Sequence, residues 1–505
     1  MSTIVKVYMR YLLAFLAVVL ASCTTGFEEY NAPKTSSITV DPGFVLAKVQ
    51  RNSKFYQGLE YRNCTFGSWI QHWNSTTNNP TSRYLFAHES WGSYYNWILN
   101  ISQIRNHLLK GQENSPEGRS KLAIARIVEV DLWQTITDMW GDIPFSESAL
   151  GSLNLIVQPK YDTQEEIYNT LIATIDEAIA SLTVSDASYG SNDLYYKGNV
   201  EQWIKYGNSV KLQLGMRLKY VKPDLAQKVV SEALNAPLIA DNSDNAMVAT
   251  NMDYTESYHP TVRQFLLASQ DNRYLAEAFV NQLVDTHDPR LTYLVHPTAN
   301  SIKSEGDPVY RGKVVAGTDE ELVGIINDDY STPSETYFGL SYNQLNPLPY
   351  YVYTYSEVCF YKAEAAIEGW GGLTEGQAEG FYQEGIKAAL ALEPFKITDI
   401  PQDFINAVFS LSGLTPEQKL EKIMTQKWIV LFCRSTDAFA EWRRTGYPRL
   451  TPGNNKGSTD GQIPRRAGYP NDEMLLNTEN YEEAVKRMSD GDSYISRVWW
   501  DTKRF

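Results

Sequence analysis

Apolar positions recur at helical spacing through two long sections of the chain. From Leu122 to Trp140 the residues Leu122, Ala125, Ile127, Val128, Leu132, Ile136 and Trp140 share one side of a helix. Thr163-Gln164-Glu165-Glu166 has the pattern of a capping box. Leu171, Ile172, Ile175, Ala178, Ile179 and Leu182 follow it at helical spacing. Trp203 to Tyr220 is a further helix, and Leu225 to Leu234 another after Pro223 and Asp224. The rhythm returns in Glu357 to Trp370, where Gly371-Gly372 is the expected stop. Thr374 with Gln377, and Thr415-Pro416-Glu417-Gln418, carry two more capping patterns. The first opens a helix to Leu392; the second precedes the stripe Leu420, Ile423, Met424, Trp428 and Leu431.

Between these sections the rhythm fails. Asn235 to Tyr350 is rich in Asn, Asp, Pro, Gly and Tyr, and holds too many aromatic residues for a disordered linker. It reads as an ordered, irregular lobe inserted between helical sections at 43–234 and 351–505, the latter with a second irregular region from Arg444 to Gly491. Helix pairs joined by short Gly-containing turns predict a mainly α protein of tetratricopeptide-like hairpins, although no strict repeat period is present.

The start of the chain has another pattern. Lys6 and Arg10 precede the apolar run Tyr11 to Leu20, which is too short for the roughly 20 residues a membrane span needs. Residues 1–22 read as a signal peptide. Leu20-Ala21-Ser22-Cys23 resembles a bacterial lipobox, in which the Cys23 sulfur takes a diacylglycerol through a thioether and becomes the first mature residue. Several acyl chains anchor a protein stably where one does so only marginally. Residues 23–42 then read as a lipidated tether, placing the body at a membrane surface by lipid alone.

Charge and composition narrow the function. The formal net charge is −15, and removal of Lys6 and Arg10 takes the mature chain near −17, which argues against nucleic acid and polyanionic substrates. The remaining cysteines, Cys64, Cys359 and Cys433, form no CxxC pair; Cys359 and Cys433 lie in apolar helical stretches and are expected as buried thiols. There is no HExxH, GxSxG or Walker A sequence, and no two of the six His fall at i, i+4. Nothing calls for a cofactor or metal. Asp241, Asp244, Asp328 and Asp329 have the chemistry for calcium but read as loop acids.

Four blocks carry a family resemblance. They are Asp138-Met139-Trp140-Gly141-Asp142-Ile143-Pro144-Phe145-Ser146-Glu147, Lys211 to Leu218 (KLQLGMRL), Tyr355 to Ala365 (YSEVCFYKAEA) and Glu441 to Pro448 (EWRRTGYP). With them the chain resembles the SusD/RagB family of outer-membrane nutrient-binding lipoproteins, across nearly the whole mature length. The resemblance implies a helical fold with an irregular binding lobe, no enzymatic activity, and a seat as lid on a SusC-like TonB-dependent transporter. It implies capture of glycans, or of peptides in some branches. Glu28 and Glu29, soon after Cys23, look like the surface-export signal of such lipoproteins.

A pyranose offers an apolar C–H face and a rim of hydroxyls, so a glycan site needs flat aromatic rings beside hydrogen-bonding side chains. Among 33 Tyr and 12 Trp, the aperiodic ones are the candidates. Trp91, Tyr94, Tyr95 and Ile98 follow helical spacing and read as core; Trp69 and Trp73 stand at i, i+4 and fit a core face as well. The expected ligand-binding residues are Trp73 and Tyr84, near Asn74, Asn78, Asn79 and Arg83, and the lobe residues Tyr258, Tyr293, Tyr310 and Tyr330. Two other readings stay open: a peptide-binding protein on the same scaffold, and a surface glycosidase, which would need a pair of cleft carboxylates.

Overall fold

In the computed structural model the described residues are 40–59, 65–74, 84, 91–148, 156–251, 259–260, 274–318, 327–334 and 348–503. Helix starts follow the local chemistry. After α1 (Pro42–Leu59) and α2 (Trp91–Gln103), α3 (Pro116–Trp140) opens with Pro116 and with the Ser115 hydroxyl accepting from the Gly118 amide at 3.0 Å. It ends at Gly141, whose φ of 86° suits a residue without Cβ. Thr163 and Glu166 form the expected capping box at the head of α4 (Gln164–Ala180).

Helices α5 (Val200–Arg217) and α6 (Pro223–Leu234) complete the first section. Two glycines on α5 let it approach both neighbours. A Cβ on Gly207 would lie 2.8 Å from Ile179 Cγ1 of α4, and one on Gly215 would lie 2.9 Å from Val230 Cγ2 of α6. Pairs α3–α4 and α5–α6 each pack along their length, as does α8 (Tyr355–Glu368) with α9 (Ala378–Leu390) once the intervening lobe has been crossed. The lobe supplies α7 (Glu277–Asp285), a helix within a region read as irregular; Phe279, Val280 and Leu283 give it a short buried stripe.

The stop of α8 is Gly369, with φ 70°, two residues before the expected Gly371-Gly372. The Thr374–Gln377 box is formed, and one 3-10 turn separates it from α9. Then come α10 (Gln402–Val408), α11 (Pro416–Val430) behind the Thr415–Gln418 box, and α12 (Ser435–Thr445). The second region expected to be irregular contains α13 (Asn471–Leu476) and α14 (Thr478–Lys486).

Strands are short and antiparallel in pairs. β1 (Trp73–Asn74) pairs with β5 (Tyr274–Leu275), β2 (Ile143–Pro144) with β3 (Tyr161–Asp162), and β6 (Val295–His296) with β7 (Thr332–Pro333). β4 (Ala246–Val248) pairs with β8 (Tyr350–Tyr353), bringing together the two ends of the lobe. The lobe is fixed to the helices by aromatic packing. Phe279 of α7 stacks on Phe432 at 4.6 Å and meets Trp428 of α11 edge-on at 5.4 Å. Residues from Pro42 onward form one unit.

The four sequence blocks meet in a buried charged cluster. Arg217 donates to Asp138 (3.0 Å) and Glu441 (2.5 Å). Arg444 donates to Glu364 through both Nη atoms (2.7 Å each) and to Glu441 (2.8 Å). Lys219 donates to Glu364 at 3.0 Å, Tyr361 to Glu441 at 2.8 Å, and Trp500 to Asp138 at 2.8 Å. Burial pushes the Glu364 carboxyl up, but Arg444 and Lys219 outweigh it and hold it at about 2. At Asp138 burial prevails over Arg217 and the carboxyl sits above its ordinary range. The blocks therefore mark an internal scaffold in which Arg217, Lys219 and Arg444 each face a carboxylate.

Candidate functional site

Among the described residues two concavities stand out. The first, about 640 Å³ including its open mouth, lies where the lobe meets α9 and α11. The lobe contributes Arg290 and Leu294, β8 contributes Tyr350 and Tyr351, and the segment after α9 contributes Glu393 and Phe395. In β8 Tyr350, Val352 and Tyr353 are buried, whereas Tyr351 is half-buried. Burial raises the Tyr351 phenol to about 12, so it stays protonated, and its oxygen accepts from the Glu393 amide at 3.3 Å.

The cations in this cleft are neutralised from within. Arg290 donates to Asp288 (2.9 Å) and to Gln426 (2.8 Å). Arg434 donates to Glu357 (2.5 Å) and Asp437 (3.0 Å). A ligand there meets flat apolar surface from Tyr351 and Phe395 beside the half-exposed Glu393 carboxylate. That combination suits a sugar ring better than an anion.

The second concavity, about 590 Å³, holds Glu364, Glu368 and Glu417. These carboxylates are poor candidates for acid–base work. Glu364 stays ionised down to about pH 2. Glu368 pairs with Lys219 at 2.7 Å, and Glu417 pairs with Lys503 at 2.6 Å while accepting from Tyr447.

The six expected ligand residues do not form one platform. Trp73 is a correction: it is buried, stacked on Phe432 at 4.5 Å, because β1 draws it under the lobe. Tyr84 is a second correction. Its backbone has φ 63°, its ring is fully buried, and burial raises its phenol to about 12. Aperiodic sequence here meant an irregular backbone inside the protein and not exposure. Tyr258 lies outside the described residues, next to the cleft residue His259.

The remaining three are half-buried at separate places. Tyr293 meets Phe395 edge-on at 5.7 Å, beside the first concavity. Tyr330 is edge-on to Tyr274, and both flank the Lys313 ammonium, at 5.7 and 4.5 Å from the ring centres. Tyr310 packs against the core, and burial raises its phenol. Tyr351 and Phe395 were missed. The run Tyr350-Tyr351-Val352-Tyr353 reads as a strand by its aromatic and β-branched residues, but without apolar–polar alternation it does not say which tyrosine faces outward.

Other expectations are placed as follows. Cys359 and Cys433 are buried thiols; Cys23 and Cys64 lie outside the described residues. Asp241 caps Ser243, Asp244 pairs with Lys205, Asp328 with Lys303, and Asp329 accepts from Asn300. No helix among the described residues is long and apolar enough to cross a membrane.

Comparison with known proteins gives a consistent result. Residues 33–470 match a family model, SusD-like, described as starch-binding and associating with the outer membrane. A solved structure described as a chitin-binding protein is 30% identical, with a TM-score of 0.78 over 92% of this chain and 100% of that one. A SusD homolog from Bacteroides fragilis is 23% identical, with a TM-score of 0.75 over 92% and 100%. A chitin-binding SusD homolog from Flavobacterium johnsoniae is 23% identical, with a TM-score of 0.72 over 92% and 98%. No curated protein sequence matches.

Proposed function

The chain belongs to the SusD-like family, and from that premise we propose that it is a glycan-binding protein of the outer-membrane surface that passes its ligand to a SusC-like TonB-dependent transporter. The observation that carries the ligand class is the 30% identity, along the whole of its length, to a protein described as chitin-binding. Oligosaccharides of N-acetylglucosamine are therefore the first ligands to test. The cleft at Tyr351 and Phe395 supports the reading, since it combines aromatic faces with few uncompensated charges. Lipid on Cys23 would hold the protein at the membrane and leave the body facing outward.

The reading assigns binding without chemistry. A lid of this kind needs no reactive group, and the carboxylates of the second concavity are held by cations.

Calorimetry with chitin and starch oligosaccharides tests the proposal. Saturable binding to either, with micromolar to millimolar affinity, is the expected result. Binding to neither glycan, with binding to peptides instead, would overturn it in favour of the peptide-binding alternative.

A further inference from the structure

The cleft between the lobe and α9 offers more than flat apolar surface, because two of its polar groups have bonding capacity to spare. The Tyr351 hydroxyl accepts from the Glu393 amide at 3.3 Å, and among the described residues nothing takes its proton. Burial raises that phenol to about 12, so the proton is present at neutral pH. The Glu393 carboxylate meets Lys396 at 2.6 Å through Oε1, in an exposed pair that contributes little. A carboxylate has about four lone-pair sites, so Glu393 can accept further hydrogen bonds. One spare donor and one spare acceptor thus line the same concavity.

Both groups are held in place. The Lys396 amide donates to the Leu392 carbonyl at 2.9 Å and the Ile397 amide to the Leu390 carbonyl at 2.8 Å, closing the turn that carries Glu393 and Phe395 off the end of α9. Tyr293 braces Phe395 edge-on at 5.7 Å. The apolar side of the concavity is made by Leu294, Ala389, Leu392 and Phe432, all buried except the half-buried Leu392.

Donor, acceptor and apolar wall together match one chemical group. A secondary amide presents one N–H and one C=O, and an acetamide adds a methyl. A hydroxyl in that place would serve Tyr351 and Glu393 but leave the apolar wall unfilled. An ammonium would bond Glu393 and offer Tyr351 no acceptor. A uronate would set a second carboxylate beside Glu393.

We propose that this cleft reads the acetamido group of an N-acetylhexosamine: Glu393 accepts its N–H, the Tyr351 hydroxyl donates to its carbonyl, and its methyl seats against Leu294 and Leu392. The assignment rests on the glycan-binding reading above and names the group that sets its specificity. Phe395 then supports the sugar ring, while Glu393 and Tyr351 discriminate.

The test is calorimetry on the intact protein with three trisaccharides of one linkage, built from N-acetylglucosamine, glucosamine and glucose. The wild type should bind the N-acetylated ligand about tenfold or more tighter than either of the others, the order expected when a polar group is left unpaired or an apolar wall unfilled. Glu393→Ala and Tyr351→Phe should each bring the N-acetylated and glucose ligands within about threefold of one another. Glu393→Gln, which keeps a carbonyl acceptor, should restore most of the preference. Equal wild-type affinity for the N-acetylated and glucose ligands overturns the acetamido assignment and leaves glycan binding intact. Tightest binding to the glucosamine ligand overturns it in favour of an ammonium on Glu393. A loss in the variants that falls equally on both ligands overturns the roles of Glu393 and Tyr351. Binding to no glycan at all overturns the glycan reading as well.

Discussion

Arg444 and Glu364 face each other as a bidentate pair, two 2.7 Å hydrogen bonds between side chains with no exposure to solvent. They come from α12 and α8, eighty positions apart in sequence. Arg444 also reaches Glu441, so one guanidinium serves two carboxylates.

Arg444→Met is expected to destabilise the fold by about 3–5 kcal/mol, because both carboxylates stay buried with one cation fewer. Urea denaturation measures this. A cycle with Glu364→Gln should show coupling of about 1 kcal/mol or more; additive effects would mean that the pair is energetically independent.

Acid should weaken the protein well above the carboxylate range. Burial depresses His72 and His259 to about 3. A group whose folded value is depressed contributes stability that is complete above its unfolded value, about 6.5 for His, and is lost as pH falls toward the folded value. His72 spends one ring nitrogen on the Trp428 carbonyl at 2.9 Å, and Nδ1 is buried without a partner. Unfolding midpoints should therefore fall between pH 6.5 and 3, and His72→Gln should reduce the slope by up to about 1.4 kcal/mol per pH unit. Glu364 extends the loss from the unfolded carboxylate value down to about 2.

Lys427 gives a trend of the same sign at alkaline pH. Burial lowers its ammonium to about 8 even though Glu441 lies 3.3 Å away. The unfolded chain then binds the extra proton between pH 8 and about 10.4, so stability rises with pH in that window until the buried tyrosines, whose values are raised, reverse it near 10. Lys427→Met should remove the rise; a thermal-denaturation series from pH 7 to 10 reads it.

Ligand affinity should depend on the cleft more than on the scattered lobe tyrosines. Tyr351→Ala or Phe395→Ala is expected to cost roughly ten- to a hundredfold, by analogy with stacking energies of about 1–3 kcal/mol. Tyr310→Ala and Tyr330→Ala, which line neither concavity, should change affinity less than threefold. The reverse order in calorimetry would move the site to the Tyr274–Lys313–Tyr330 group.

Cys23→Ala should abolish fatty-acid labelling and release the protein from the outer-membrane fraction. Retained labelling would place the acyl chain elsewhere.

The helices were legible because caps and stripes are local: Thr163, Thr374 and Thr415 each form the box their spacing predicts. The charged cluster was not. Arg217 and Arg444 lie on helices where a charge ordinarily means solvent, and the carboxylates that neutralise Arg217 are 79 and 224 positions away. Trp73 and Tyr84 were misplaced for a related reason. Lack of periodicity shows that a residue is on no regular face, and burial then depends on which distant segment covers it. Tyr351 was not legible: its strand reads Tyr-Tyr-Val-Tyr, with no apolar–polar alternation to set its face, and of the four only Tyr351 is left half-buried by the segments that cover the strand.

Trp500 closes one side of the cluster by donating to Asp138 across 362 positions of chain. A ribosome makes Asp138 long before it makes Trp500. Until then α3 carries a carboxylate whose burial is incomplete, and the first helical section has reason to stay loosely assembled during synthesis.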